Sequence, residues 1–205
     1  MFRNTRVGQF VVAFAVLFAA CSGSSDDTAS APGESDSTSD APTEVVTTPL
    51  AEITANHVDP PVSFDTSPST GGDHFGFWHN CGFYSEELIE GAATHSLEHG
   101  AIWITYGESL DDEGVAALES LAAGNPRLLI SPYDHDEPIV LSAWGAQQRG
   151  IQSATAPEID AFITDWIDNP ELIEAGASCN GAVGVPPDDP NSLIDGTPVP
   201  EAFLS

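Results

Sequence analysis

The stretch from Ala101 to Tyr106, together with the residues that follow it, constrains the fold most strongly. This run, AIWITY, consists mainly of β-branched and aromatic residues and has the length of a buried strand. In the next segment, DDEGVAALESLAA, Val115, Leu118 and Leu121 recur at helical spacing behind a first turn of acidic residues, which the helix dipole favours. The sequence therefore predicts a strand followed directly by a helix.

Two more strands and a second helix complete this pattern. The runs RLLIS (Arg127–Ser131) and PIVLSAW (Pro138–Trp144) have the composition of strands, and the PYDHDE segment between them can form a hairpin. An amphipathic helix that ends at Asn169-Pro170 is predicted from the spacing of Ile159, Phe162, Ile163, Trp166 and Ile167. A right-handed crossover followed by a hairpin predicts an α+β fold, in which two helices pack on a small mixed sheet.

Residues 1–20 have the features of a lipoprotein signal peptide. Arg3 and Arg6 precede an apolar run that is about half the length of a transmembrane helix, and small residues come before Cys21. The FAAC sequence resembles a lipobox, with Leu17 one position further from the cysteine than usual. We expect a lipid on Cys21 and attachment to the extracytoplasmic face of the cell membrane. The alternative is a secretory signal that is cut nearby, with Cys21 unmodified.

Composition divides the remaining chain into three parts. Residues 21–49 are rich in Ser, Thr, Asp and Pro, which predicts a disordered linker because too little apolar surface is available to offset the entropy of ordering. Residues 50–181 have the composition and size of a single globular domain, in which residues 56–84 form a long His-, Pro- and Gly-rich loop region. Residues 182–205 form a Pro-rich tail, either loose or draped on the domain.

The chain is strongly acidic, with 32 Asp and Glu residues against 4 Lys and Arg residues. Removal of residues 1–20 leaves Arg127 and Arg149 as the basic side chains, and the sequence contains no lysine. This charge disfavours binding to nucleic acid and electrostatic docking on anionic lipids, so the membrane is expected as a partner only through the lipid on Cys21. The absence of lysine excludes Schiff-base and P-loop chemistry.

Two cysteines remain for the domain once Cys21 is assigned to the lipid. An even pair in an exported protein predicts a disulfide between Cys81 and Cys179. The loop that it closes has about 100 residues, for which the chain-entropy estimate is on the order of 4 to 5 kcal/mol. The alternative is that Cys81 is a thiolate metal ligand and Cys179 is free.

Five of the six histidines lie close together in the sequence, which indicates a functional site. In the THSLEHG segment, Thr94 is expected to cap a short helical turn and Gly100 to end it in the left-handed conformation. His95 and His99, at positions i and i+4, then project from one face and can bind a single metal ion. Glu98 is a candidate ligand, an acceptor that orients an imidazole, or a general base.

A third metal ligand must come from outside this turn. His74, at the end of a glycine-containing loop, is the first candidate. Further candidates are His57, His79 and Cys81, although His57 and His135 are also typical of structural, hydrogen-bonded histidines. Imidazole-rich ligation suits zinc or copper, and zinc is preferred because Met1 is the only methionine and copper patterns based on methionine are absent.

The same segment matches the H-x-x-E-H pattern of inverzincin metalloproteases, in which a downstream glutamate is the third zinc ligand. Glu171 and Glu174 are the downstream candidates. We discount this interpretation, because those proteases place the motif inside a longer helix of a larger domain, whereas a glycine and a strand follow here.

Several segments together resemble the bacterial domain of unknown function family 3105, which is found in secreted and membrane-anchored proteins. They are HVDPPVSFDTSPSTGGDH, CGFY, HSLEHGAIWITY, LLISPY and IVLSAWG, and the resemblance runs from about residue 57 to residue 179. The resemblance places His74, Cys81, Gly82, Tyr84, His95, Leu97, Glu98, His99, Gly100 and Tyr106 on motif positions, among which we expect Gly100, Tyr84 and Tyr106 to be structural. Ser69, Gly71 and Asp73 depart from the proline, serine and proline of the pattern. The family carries no established activity to transfer.

Three functions remain open for the chain. The first is a lipid-anchored, extracytoplasmic protein that binds a transition metal through its histidines. The second is a metal-dependent hydrolase with Glu98 as its base. The third is a non-enzymatic envelope interaction domain, in which the histidines and the aromatic residues Phe77, Trp78, Tyr84 and Trp103 only pack.

Overall fold

The structure is a computed structural model, which describes residues 44–204. In chain order, its main elements are β1 (Val45–Thr47), β2 (Gly82–Phe83), α1 (Glu90–Glu98), β3 (Ile102–Tyr106), α2 (Asp112–Gly124), β4 (Leu128–Pro132), β5 (Ile139–Ala143), β6 (Ala146–Ile151), α3 (Pro157–Trp166), β7 (Val183–Val185) and β8 (Asp189–Leu193). Short 3-10 helices lie at Leu50–Glu52 and Glu201–Phe203. The elements confirm the predicted α+β fold.

Six strands form one mixed sheet in the order β1-β6-β5-β3-β4-β2, and β7 pairs with β8 in a second sheet. The central strand β3 is parallel to β4 and antiparallel to β5. The predicted hairpin between β4 and β5 is therefore wrong, because β3 lies between these two strands. The tight hairpin instead joins β5 to β6 through Trp144 and Gly145.

The main sheet separates two layers of helices. Ile102 and Ile104 of β3 point to one face, where they belong to a buried cluster with Leu118 of α2 and Phe162 of α3. Both helices lie where the sequence predicts them, and the Asp111 side chain caps α2. Trp103 points to the opposite face and belongs to a cluster with residues of α1. Among the α-helices of residues 44–204, α1, which carries the HSLEH motif, is thus the one whose residues join Trp103 on that side of β3.

The described region begins with structure where composition indicates a linker, and it ends in a tail for which composition leaves a loose or a draped arrangement open. The predicted signal peptide, Cys21 and residues 22–43 lie outside the described residues. Residues 45–47, which composition assigned to the linker, form β1 because Val45 packs against the core and the strand pairs with β6. In the Pro-rich tail, Val183 and Val199 are buried, so this segment is draped on the domain. Among residues 44–204, no helix has both the length and the apolar character needed to cross a bilayer.

The predicted disulfide between Cys81 and Cys179 is confirmed, with Cα atoms 5.4 Å apart. The alternative, in which Cys81 is a metal ligand, is thereby wrong. The amide of Cys81 also donates to the carbonyl of Cys179 at 2.7 Å, so the disulfide lies where two backbone segments are already paired.

Candidate metal centre

Helix α1 is longer than the sequence pattern suggests. It begins at Glu90, so Thr94 lies inside the helix and its predicted role as the N-cap is wrong. The Thr94 hydroxyl donates to the carbonyl of Glu90 at 2.7 Å and contacts the Ser69 hydroxyl at 2.5 Å. At the other end the prediction is correct, because Gly100 follows the helix with φ +94. A Cβ atom at Gly100 would lie 3.0 Å from Cα of Asp168, so the position also lacks space for a side chain.

The long loop before α1 brings His57 and His74 side by side. A parallel bridge joins the two residues, in which the amide of Val58 donates to the His74 carbonyl at 2.8 Å. The amide of His74 in turn donates to the Asn56 carbonyl at 3.0 Å. The Asn56 side chain donates to Asp73 at 2.8 Å and so fixes the same pair of segments a second time. The loop is therefore held by hydrogen bonds although it contains neither helix nor strand over residues 56–81.

His95 is the centre of a group of four imidazole rings. Its ring centroid lies 4.7 Å from those of His57, His74 and His99. His74, His95 and His99 are buried, whereas His57 is exposed. The i, i+4 spacing on α1 explains the pairing of His95 with His99, and the bridge described above supplies the other two rings.

Each of the three buried imidazoles is oriented by a main-chain carbonyl through its Nδ1 atom. The pairs are His74 with Gly72 at 2.8 Å, His95 with Phe75 at 2.8 Å, and His99 with Ser178 at 2.7 Å. Because a carbonyl can only accept a hydrogen bond, Nδ1 must carry the proton in every case. In a neutral ring with this tautomer, Nε2 presents a lone pair, as in histidines that bind metals through Nε2.

These Nε2 atoms face carboxylate oxygens. Nε2 of His74 lies 3.1 Å from Oε2 of Glu98. Oε2 of Glu174 lies 2.9 Å from Nε2 of His99 and 3.6 Å from Nε2 of His95. Two acceptors at these distances repel each other unless a proton or a cation lies between them. The arrangement thus creates places that either a proton or a metal cation must occupy.

We call the six side chains that meet here the histidine cluster: His57, His74, His95, Glu98, His99 and Glu174. Their ligand atoms form two sets, within each of which all atoms lie less than about 4.8 Å apart. The His74–Glu98 set contains His57, His74, His95 and Glu98. The His99–Glu174 set contains His95, His99 and Glu174. His95 belongs to both sets.

Burial and neighbouring charge keep His95 neutral. Burial lowers the pKa of His95 to about 4, the nearby imidazoles of His74, His99 and His57 act in the same direction, and the hydrogen bond to Phe75 opposes them. At neutral pH the Nε2 atom of His95 is therefore an unprotonated ligand. Burial alone would raise the pKa of Glu174, but charge attraction and hydrogen bonding from the protonated forms of His99 and His95 outweigh it and lower that pKa.

The segment that carries Glu174 and Ser178 is held by two features. The first is the disulfide, which joins Cys179 to Cys81 directly before β2. The second is Arg127, which donates to the Ala177 carbonyl at 2.7 Å and also to the carbonyl of His99. The sequence indicates no role for Arg127 beyond its charge, and it names Glu174 only within the discounted protease pattern. Glu174 is hard to distinguish because acidic residues are abundant and because it lies 75 positions from His99.

The other residues singled out from the sequence lie elsewhere. His79 is buried outside the cluster, and its Nε2 accepts from the amide of Ile89 at 3.0 Å. His135 contacts the Thr105 hydroxyl through Nε2 at 3.0 Å. Tyr84 and Tyr106 have structural roles, since the Tyr84 hydroxyl donates to Asn80 at 2.7 Å and that of Tyr106 to the Tyr84 carbonyl at 3.3 Å.

Aromatic side chains border the cluster. The Trp78 ring lies 4.8 Å from that of His99 and 5.6 Å from that of His95, measured between centroids. Trp144 meets His74 edge-on at 5.6 Å. These indoles shield the imidazoles from water, which strengthens any interaction between the cluster and a cation.

Comparison with protein-family models matches residues 57–181 to a family described as a protein of unknown function, DUF3105. The matched range contains all six side chains of the histidine cluster and both cysteines of the disulfide. No curated protein and no solved structure matches the chain.

Proposed function

The chain belongs to the DUF3105 family, and because that family's description assigns no activity, we propose from the site alone that the protein binds a transition metal ion through the histidine cluster. The observation that carries this proposal is the repeated orientation of three imidazoles. In each, Nδ1 is bonded to a main-chain carbonyl and Nε2 faces a carboxylate oxygen. A metal ion converts these repelling contacts into coordination bonds.

The donor set favours zinc. Imidazole and carboxylate ligands at tetrahedral positions are typical of zinc sites, and bonds of about 2.0 to 2.1 Å place the ligand atoms about 3.4 Å apart. The measured contacts of Glu174 with His99 and His95, 2.9 and 3.6 Å, lie on either side of that value. Copper also accepts imidazole, so copper is the second candidate ion.

The proposed setting is the extracytoplasmic face of the membrane, to which the lipid on Cys21 attaches the chain. The signal-like residues 1–20 support this setting. A disulfide in the domain also supports it, because such bonds persist in oxidising compartments.

The test is a metal titration of the full chain in its oxidised form. We expect close to one zinc ion per chain, bound by the native protein and by His135→Asn, a control that changes a histidine outside the cluster. His95→Asn is expected to lose the ion, because His95 belongs to both ligand sets. Equal zinc binding by the native chain and His95→Asn, or no binding by the native chain to zinc or copper, would refute the proposal.

Metal-dependent hydrolysis is a second candidate function, favoured by the position of Glu174. The two histidines of the H-x-x-E-H pattern meet a downstream glutamate, as in hydrolases of that class. Glu98, the base of the pattern, lies against His74. Glu98→Gln separates the two functions, because a hydrolase would keep its metal and lose turnover of peptide and ester substrates, whereas a metal-binding protein has no turnover to lose.

A further inference from the structure

The two ligand sets of the histidine cluster cannot both be complete at the same time. His95 belongs to both sets, yet its Nδ1 atom is bonded to the Phe75 carbonyl. Only Nε2 is left to bind a metal ion, and one nitrogen lone pair serves one ion. When an ion in the His74–Glu98 set is bound by His95, the His99–Glu174 set therefore lacks His95.

The charge of the cluster matches a single divalent ion. Its two carboxylates, Glu98 and Glu174, balance one such ion, whereas a second ion would leave an excess of positive charge. His74, His95, Glu98 and His99 are all buried, and uncompensated charge is costly in such surroundings. Occupancy by one ion at a time is thus the electrostatically balanced state.

Each set also has its own contact with solvent. His57 of the His74–Glu98 set is exposed, and the side chain of Glu174 is 39% exposed. An ion can therefore reach either set through a ligand that water also reaches, while the shared His95 lies buried between them.

We infer that one divalent ion alternates between the two sets, with His95 as the ligand that it keeps in both positions. This inference rests on the proposed metal binding and adds to it an exchangeable ion that has two routes to solvent. The ion moves by replacing His74 and Glu98 with His99 and Glu174, one ligand at a time, so it is never released completely during the step. Such a centre suits a protein that receives a zinc or copper ion from one partner and passes it to another.

The experiment compares two double variants that each disable one set. They are His74→Asn with Glu98→Gln, and His99→Asn with Glu174→Gln, each made in the full oxidised chain. We expect each to bind one zinc ion, because the other set remains. If one ion has two alternative positions, the association constant of the native chain is the sum of the association constants for the two positions. The native constant should therefore equal the sum of the two variant constants to within about threefold, since such contributions depend on context.

The outcomes separate this inference from the proposed function. If the native chain binds one ion far more tightly than that sum, or if either double variant binds none while its circular dichroism spectrum stays native, then the cluster is one composite site and the inference is wrong. Two ions per native chain would also overturn it. Metal binding through the cluster survives all three of these results, and it fails if the native chain binds no ion or if His95→Asn binds zinc as the native chain does.

Discussion

Glu174 Oε2 lies 2.9 Å from Nε2 of His99, although the two residues are 75 positions apart in the chain. This contact exists because the segment around Glu174 returns to the end of α1. Arg127 joins it there to the His99 carbonyl, and the disulfide joins it to Cys81 before β2. The candidate centre therefore depends on bonds that lie outside its own ligands.

Replacing both cysteines, Cys81→Ser with Cys179→Ser, should weaken zinc binding as well as stability. The free energy of unfolding is expected to fall by about 2 to 5 kcal/mol, as for other native disulfides in small exported domains. Zinc affinity should fall because Glu174 and Ser178 are no longer tethered beside His99. Calorimetric titration at a temperature where the variant is still folded measures the second effect, and an unchanged dissociation constant would contradict it.

The two arginines of the described region form a matched pair for mutagenesis. Arg127→Gln removes donors to the carbonyls of His99 and Ala177, which should cost about 2 to 3 kcal/mol of unfolding free energy and also weaken metal binding. Arg149 donates to Glu137, Gln147 and the Ser67 carbonyl, but its side chain is 41% exposed and water competes for these contacts, so Arg149→Gln should cost less than about 1 kcal/mol. Urea denaturation compares them, and equal losses would mean that Arg127 does not hold the returning segment.

His79 should make the stability depend on pH. Burial lowers the pKa of His79 from its ordinary 6.5 to about 3, so between these values the unfolded chain binds more protons. Its contribution to stability is complete above pH 6.5 and is lost as the pH falls toward 3, with a slope of about 1.4 kcal/mol per pH unit. His79→Gln, which keeps an acceptor for Ile89, should reduce the slope of unfolding free energy against pH by that amount.

The check is a series of urea denaturations of the two proteins between pH 4 and 6, with a chelator present so that metal ligation does not contribute. The buried His95 titrates in both proteins, so its effect cancels in the difference. Parallel stability curves for the native chain and His79→Gln would show that His79 is not the group responsible.

A side chain at Gly100 should destabilise the domain. The residue has φ +94, and an added Cβ would meet Asp168, so Gly100→Ala is expected to cost about 2 kcal/mol, of which roughly 1 to 2 come from the left-handed backbone. Gly124 is the control, because it ends α2 with no atom near an added Cβ. Gly124→Ala should stabilise by about 0.4 to 1 kcal/mol. Melting temperatures of the two variants that shift in the same direction would contradict this account.

The sequence predicted those parts of the fold whose signals are local. The period of Ile159 and Phe162 located α3, and the composition of residues 101–106 located β3. Strand β6 is not predicted from the sequence because Gln147 and Gln148, although buried, are polar and give no strand pattern. The predicted hairpin between β4 and β5 is wrong because composition indicates that two segments are strands but does not indicate which strand each pairs with.

The candidate site divides in the same way. His95 and His99 are recognisable from their i, i+4 spacing on α1, and His74 from its nearness in sequence. Glu174 carries no local signal in a chain with 32 acidic residues. Ser178 contacts His99 through its main-chain carbonyl, which every residue has, so its side chain gives no signal in the sequence. The side chain of Thr94 is of a type that caps helices, which favours an N-cap, but the EGAA segment before it is itself helical.

The position of the disulfide also links the proposed metal site to the redox state of the chain. A chain in which Cys81 and Cys179 are still thiols lacks the cross-link that holds the segment of Glu174 and Ser178, both of which contact His99. Under the proposed function, such a chain would bind metal more weakly than the oxidised chain. It would reach its full affinity only in a compartment where the disulfide persists.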